Sequence, residues 1–474
     1  MSQIQQLALV YGDSKNASTM DWVTQFPVNV IPVPRPVVGV NGYMRMFPGL
    51  VKQQDVDGVS RGAQWNTVKE LPYRVMGGKL YLNREEVGDV SGTDRISMAH
   101  SRASQGVSSN GSLVLYGYDG VTKVFSNWPT SVVPTPFDWG AVGDVTHLRQ
   151  RYIFAQKGTD TIWVSSLDDE SKPDKVAPFY RAESMPDGIL ALREWRDYVL
   201  CFGSSTIEFF SLTGNAQSIL QSQPSYMVRI GIAGQFAVCD YLDTFAFVSS
   251  PSRGQPSVYM MASAGGTYQE IANYQINQIL SEYSTAELAD TVCERVYIKS
   301  HKFLIIHLPR HTLIYDAVAS QSMGIQAWSI LKTGLNDDVY RAIDFMNEGD
   351  VISCGDKLSP ILGKQTDSLS SQYGEDQELI MYTPLIPAEN AIVSDFEIEV
   401  NTGASAVVNH VFVSSTEDGI NYGMEKLVNS DAPWRWMSRT LWRKVGRVRT
   451  KIGFKIRMVG ATPATMANCK VRVD

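Results

Sequence analysis

The sequence predicts an all-β protein: an irregular β-propeller of about six to seven blades, a C-terminal β-sandwich platform and a small helical insertion. Three observations carry that reading. Hairpin patterns recur along residues 61–370 with starts roughly 40 to 60 residues apart, the spacing of propeller blades. Glycine, proline, tyrosine and tryptophan are plentiful, at 37, 21, 21 and 10 residues, which supplies both turns and pleated strands. Beyond residue 370 the pattern changes to longer alternating strands. The same local hairpins also fit an array of β-sandwiches, so the propeller rests on their spacing.

Residues 1–60 read as an N-terminal arm. Pro27, Pro32, Pro34 and Pro36 lie in an extended Val/Pro run that cannot donate a full ladder. Residues 42–50 then read as a short strand and turn.

Seven hairpins follow. Residues 73–82 turn at Gly77-Gly78. Residues 112–117 and 122–126 flank Tyr118–Gly120, and residues 152–156 and 161–165 flank Gly158–Asp160. Residues 198–202 and 206–212 flank Gly203-Ser204-Ser205, where Gly203 is expected to take a positive φ and the serines to bond their own backbone. The remaining pairs are 244–249 with 257–261, 302–307 with 312–316, and 351–354 with 361–364. Residues 61–67, 96–100, 190–193 and 340–345 are further strand candidates, giving three or four strands to a unit.

Residues 268–280 break the pattern, with Ile271, Tyr274 and Leu280 at helical spacing. Ser284-Thr285-Ala286-Glu287 matches a capping box for a second short helix. Residues 368–378 are polar and read as a linker. Residues 391–400, 407–414 and 453–458 alternate as strands of a separate sandwich spanning 376–474.

Composition narrows the function. At 44% hydrophobic and 19% charged, the chain folds with sizeable cores. Its net charge of −7 argues against a general polyanion binder. Cys201, Cys239, Cys293, Cys354 and Cys469 form no C-x-x-C pair, so they read as reduced thiols of a protein made in a cytosol. The first residues lack the basic start and apolar core of a secretory signal, and no apolar run reaches membrane-spanning length.

No catalytic motif stands out. His307 and His311 have the i, i+4 spacing of zinc proteases, but the intervening glutamate is missing and Pro309 forbids the helix. There is no phosphate-cradling P-loop and no G-x-S-x-G elbow. Ser415–Tyr422 resembles half of the S-x-D-x-G-x-x-W turn of sialidase blades, once and outside the propeller. No pair of carboxylates is marked as acid and base, and no cofactor is expected.

The most distinctive charge feature is residues 434–457, WRWMSRTLWRKVGRVRTKIGFKIR. Trp434, Arg435, Trp436, Arg439, Trp442, Arg443, Lys444, Arg447 and Arg449 are the candidate interface residues, since tryptophan and arginine are favoured anchors of protein interfaces. Two other readings stay open. The segment could bind nucleic acid, with arginines on phosphates and rings on bases. It could also be ordinary strands, with Val445, Val448, Ile452, Phe454 and Ile456 inward and the cations outward.

Eight ordered blocks carry a family resemblance: GYMRMFPGL (42–50), SMAHSRASQ (97–105), RAESMPDGI (181–189), WRDYVLCFGSSTIEFFSLTG (195–214), LIIHLPRH (304–311), LKTGLNDDVYRAIDFM (331–346), DGINYG (418–423) and LWRKVGRVRTKIGFKIR (441–457). The chain resembles the packaged-DNA stabilisation proteins, or tail hubs, of short-tailed enteric phages. That resemblance implies a non-enzymatic virion protein forming a homohexameric nozzle below the portal–adaptor ring. It implies that the ring helps retain packaged DNA, carries the tail needle, lies beside the tailspikes and lines part of the ejection channel. DNA is expected to pass through without specific binding, and no membrane insertion is expected. The alternative is a propeller-type tail protein that binds or hydrolyses glycans.

Overall fold

The computed structural model describes residues 3–7, 25–34, 42–183, 185, 187–251, 254–262, 266–336, 338–401, 409–430 and 438–474. Seven small antiparallel sheets follow one another, six built from strands in chain order and the seventh completed by a strand from the N-terminal region. Blade 1 is Ser60–Asn66, Leu71–Met76, Lys79–Leu82 and Glu85–Asp89. Blades 2 to 5 begin at Ser97–His100, Val142–Leu148, Ile189–Trp195 and Val238–Tyr241. Blade 6 begins at Val292–Ile298 and blade 7 at Ala342–Glu348. These first strands lie side by side around one axial cavity of about 940 Å³, to which all seven contribute. The architecture is therefore a seven-bladed propeller.

Six of the seven hairpins expected from sequence are the second and third strands of a blade; the pair 112–117 with 122–126 is instead the third and fourth strands of blade 2. The four additional strand candidates are innermost strands, of blades 1, 2, 4 and 7. Gly203 differs from expectation. It has no positive φ; a Cβ there would meet Asp187 Oδ2 at 2.3 Å. Asp187 holds that turn by accepting from Ser205 N at 2.7 Å and Thr206 N at 3.0 Å. Glycine is needed for room, and the aspartate does the work expected of the serines. Gly77, by contrast, has φ 58° as its turn requires.

Both faces of a blade are buried, so its two side-chain rows feed different cores. In Ile207–Asn215, Ile207 and Phe209 pack toward blade 5, and Phe210 packs toward blade 3. Six apolar clusters fill the successive junctions from blades 1–2 to blades 6–7. Polar contacts between inner turns reinforce them. Arg149 pairs with Asp197 at 2.8 Å, Trp195 Nε1 donates to Asp243 O, and Asn347 Nδ2 donates to Tyr297 O.

The helical reading is corrected in part. Tyr268–Glu270 is the outer strand of blade 5, and the helix is Tyr274–Ser281, capped by Asn273. Its buried residues are Ile276, Ile279 and Leu280, while Tyr274 is exposed. Ser284 and Glu287 form the expected capping box of helix Thr285–Ala289. A third helix, Ala317–Met323, had no sequence expectation; Asp316 caps it and Gly324, at φ 66°, ends it.

The described part of the first 60 residues is more integrated than an arm. Gly49–Asp55 is the outer strand of blade 7, antiparallel to Ile361–Thr366, and closes the ring. Val30–Val33 and Tyr43–Met46 belong to the C-terminal sandwich. Pro32 is tolerated there because Val30–Val33 lies at the sheet edge. The first sandwich sheet continues through Thr465–Val473 and Ala391–Asn401 to Ser438–Val448, with Gln3–Leu7 paired to Thr465–Val473. The second contains Gln377–Tyr382, Lys451–Gly460, His410–Thr416 and Lys426–Ser430. Phe396 and Phe454 stack between the sheets at 4.1 Å.

Residues 26–33 strap the two units together. Val28 bridges Ile330 of blade 6 on one side and Ile380 of the sandwich on the other. Asn29, at φ 56°, accepts from Lys332 N at 2.9 Å and donates to Glu378 O at 3.0 Å. The segment read as a linker is also packed: Ser370, Ser371 and Gln372 are buried, and Leu50 N donates to Ser371 O.

Replacing Asn29 by Ala removes the side-chain partners of a buried amide and a buried carbonyl and puts alanine, which tolerates the left-handed region less well than asparagine, at positive φ. The expected loss is about 2–4 kcal/mol. A urea midpoint equal to that of the unaltered protein would show that the strap is not needed for stability.

Candidate interaction surface

The basic segment divides between the two sandwich sheets. Among the described residues Ser438–Val448 pairs on one side only, with Ala391–Asn401, and is a sheet edge. Lys451–Gly460 lies inside the opposite sheet, between Gln377–Tyr382 and His410–Thr416. The polypeptide reverses between them, so cations adjacent in sequence reach different surroundings.

The inward row is the one expected for ordinary strands. Val448, Ile452, Phe454 and Ile456 are buried, and Val445 packs against them. Trp442, a candidate interface anchor, is also in this core, 7% exposed and edge-on to Phe454 at 6.2 Å. Its bulk is spent on holding the sandwich together. Trp434, Arg435 and Trp436 lie outside the described residues. Arg439 falls within the edge strand, opposite Glu399 in the register.

Among the outward cations, Arg457 is committed internally. It meets Glu425 at 2.6 Å and Glu378 at 3.4 Å, and the pairing holds the Glu425 carboxyl below its ordinary range. Lys455 approaches the same Glu425 at 3.8 Å. Arg443, Lys444, Arg447 and Arg449 are exposed and have no ion-pair partner among the described residues. These four are the available part of the patch.

Their strand is shaped against simple edge pairing. Lys444 has φ 55° and Gly446 φ 137°, and the register with Ala391–Asn401 shifts there. A bulge carrying a lysine twists an open edge away from a second strand. Contact through side chains remains. Two exposed apolar side chains with no sequence signal lie on or just before Lys426–Ser430, the strand that neighbours Ser438–Val448: Met424 is 85% exposed and Leu427 55%. Lys426, next to Leu427, places its ammonium 4.7 Å above the Trp442 ring, joining the two sheet edges. Cations beside exposed apolar groups suit a protein partner.

The other motifs resolve as structural devices. His307 Nε2 meets Glu294, whereas His311 Nδ1 meets the Tyr283 hydroxyl at 2.6 Å, so the two rings serve different partners. No cluster of metal-ligating side chains occurs among the described residues. Asp418 accepts from Ile420 N, Asn421 N and Asn421 Nδ2, which closes its turn and holds its carboxyl far below the usual range.

The axial cavity is blocked at the end where the inner strands begin. Gln235, entering blade 5, reaches across to Ser97 Oγ at 3.1 Å and Gly143 O at 3.2 Å. Phe236 beside it lies under the Arg95 guanidinium at 5.2 Å. Acids in the wall act as staples: Asp144 of blade 3 accepts from Leu192 N at 2.7 Å and Arg193 at 2.9 Å, both of blade 4. At the mouth, partial burial and then the charges of Asp197 and Asp240 raise the Glu194 carboxyl.

Two family models match the chain: bacteriophage P22 Gp10, beta-propeller, over residues 5–370, and bacteriophage P22 Gp10, beta-sandwich, over residues 378–474. The tail hub protein gp10 of Salmonella phage P22 is 46% identical over 474 residues, covering 99% of this chain and all of that protein. Solved structures are far more distant. PorZ of Porphyromonas gingivalis gives a TM-score of 0.38 at 11% identity, over 68% of this chain and 38% of that one. An exo-beta-1,3-galactanase from Phanerochaete chrysosporium gives 0.32 at 10%, over 81% and 97%. Neither likeness carries functional weight.

Core and surface roles within this patch separate by stability. Trp442→Ala is expected to cost about 3–5 kcal/mol through the cavity it leaves. Arg443→Glu and Arg447→Glu are expected to leave the urea midpoint in place. The reverse pattern would mean that Trp442 is dispensable to the core and the arginines are structural.

Proposed function

Since the chain belongs to the bacteriophage P22 Gp10 family of tail hub proteins, we propose that six copies form a ring docked below the portal–adaptor complex of a short-tailed phage. The ring helps retain the packaged genome, carries the tail needle, neighbours the tailspikes and forms part of the ejection channel. The protein itself is a structural component of the virion tail.

The observation supporting the docking role is the free basic edge Arg443, Lys444, Arg447 and Arg449 beside Met424 and Leu427. It sits on a sandwich that the strap ties to the propeller, so a load on one unit is passed to the other through paired backbone. The DNA passage belongs between copies. A cavity of about 940 Å³, closed at one end by Gln235 and Phe236, admits no duplex.

Retention of DNA is mechanical on this reading. A net charge of −7 opposes tight phosphate binding, and a lumen rich in phosphate contacts would slow release. No helix among the described residues is long and apolar enough to cross a membrane.

The combined change Arg443→Glu, Lys444→Glu and Arg447→Glu is expected to give a folded protein that no longer cosediments with portal–adaptor complexes. Cosedimentation at the level of the unaltered protein would overturn the docking role. A titration with duplex DNA at physiological salt checks the passive channel: no saturable, salt-dependent binding is expected, and tight binding would contradict it.

A further inference from the structure

The ring closes where the apolar cores give way to buried charge. Blade 7 is the only blade assembled from both ends of the propeller segment, and polar groups hold it to blade 1. The Asp344 carboxylate accepts from Ser60 Oγ at 2.6 Å and pairs with Arg95. Buried Arg74 of blade 1 donates to the Asp344 carbonyl and to Ser353 Oγ. Asp344 sits at φ 59°, in a bulge of the first strand of blade 7.

Against this seam, on the blade 6 side, lies a chain of three ionisable groups. Lys357, in the turn before Ile361–Thr366, lies 3.1 Å from His307 Nδ1. His307 Nε2 lies 2.5 Å from Glu294 Oε1. Glu294 Oε2 accepts from Phe345 N, in the first strand of blade 7, at 2.9 Å. An ammonium can only donate, so His307 Nδ1 accepts from Lys357 and its Nε2–H donates to Glu294. With Lys357 charged, the arrangement fits a neutral imidazole: a proton added at Nδ1 removes the acceptor that faces Lys357 among the described residues.

We infer that the junction of blades 6 and 7 is a proton-controlled latch, in which neutral His307 ties Lys357 of blade 7 to Glu294 of blade 6. Protonation of His307 frees blade 7, including its closing strand Gly49–Asp55. The charged groups facing His307 are Glu294, Lys357 and Arg95. Asp344, Arg74, Cys354 and Tyr340 complete the titratable and charged groups around Glu294. Burial, then Lys357 and Arg95, hold the imidazole well below its ordinary value. Burial first and then Asp344 hold the Glu294 carboxyl above its own.

The two groups act with opposite sign. His307 is depressed in the closed form, so its contribution is present above the free-imidazole value of about 6.5 and is lost as the pH falls. Glu294 is raised, so its contribution grows as the pH falls through the same range. The imidazole is therefore isolated by comparison with His307→Gln, whose amide can donate to Glu294 and accept from Lys357 without titrating.

The test is amide hydrogen exchange of Gly49–Asp55 and Ile361–Thr366 at pH 7.5 and pH 5.0, corrected for intrinsic exchange. Between these values the latch-opening constant of the unaltered protein is expected to rise about 30-fold relative to its change in His307→Gln. The excess should be absent from the blade 3 strands Arg151–Gln156 and Thr161–Val164. His147→Gln, altering a half-buried histidine of blade 3, should leave the blade 7 difference in place. Equal pH responses in the unaltered protein and His307→Gln would overturn the latch, as would an excess spread over all blades. Should His307→Gln not fold, the His307 imidazole NMR signal decides: titration near pH 6.5 with blade 7 still protected would overturn it.

Discussion

The ladder between Gly49–Asp55 and Ile361–Thr366 joins the beginning of the propeller segment to its end and, with the polar contacts between blades 7 and 1, closes the blades into a ring. A strand is placed there at the entropic cost of closing a very long loop, a cost that rises only with the logarithm of loop length. The return comes from shared burial. Ile31, Phe47 and Leu50 of the N-terminal region lie in the same apolar cluster as Val296, Phe303, Tyr340 and Phe345 of blades 6 and 7. Closing the ring and docking the strap are thus one packing event. The strap then continues the ladder outward, through Val28, from Ile330 of the propeller to Ile380 of the sandwich.

This division explains what could be read from the sequence. A blade hairpin is local: Tyr198 pairs with Ser211 and Phe202 with Ile207 across a turn of a few residues, so alternation and turn chemistry announce it. All seven were visible for that reason. Strand pairings between distant segments leave no local mark. Tyr43–Met46 and Gly49–Asp55 find partners in Thr465–Val473 and Ile361–Thr366, near the far end of the chain, and Val30–Val33 joins the sandwich through Tyr43–Met46, so the proline-rich stretch reads as an irregular arm. Gly203 shows the same limit on a smaller scale. The residue type was right, but the reason was Asp187 packed against its Cα, which no pattern within the turn could disclose.

The interaction surface was half legible. Period-two alternation separated inward Val448, Ile452, Phe454 and Ile456 from the cations. It could not show that the segment divides between two sheets, or that Glu425, just before another strand, would occupy Arg457 and approach Lys455. Trp442 looked like an interface anchor because tryptophan beside arginine is the usual mark of one. Its neighbours Phe454 and Lys426 come from other strands and bury it. Met424 and Leu427 follow a glycine turn with no periodic signal and emerge only from the fold.

The edge strand Ser438–Val448 shows how such a surface stays selective. Its outer backbone groups would pair with any extended chain if the strand were flat. The bulge at Lys444–Gly446 and four unpaired cations remove that option and repel copies of the same edge. A partner must then bring acidic side chains to Arg443, Lys444, Arg447 and Arg449 and an apolar contact to Met424 and Leu427, both at once. Charge alone, at an exposed site in salt, would be screened and weak. Apolar contact alone would leave four cations partly desolvated without compensation. On the proposed docking role, the requirement for both is what would let a largely exposed patch discriminate.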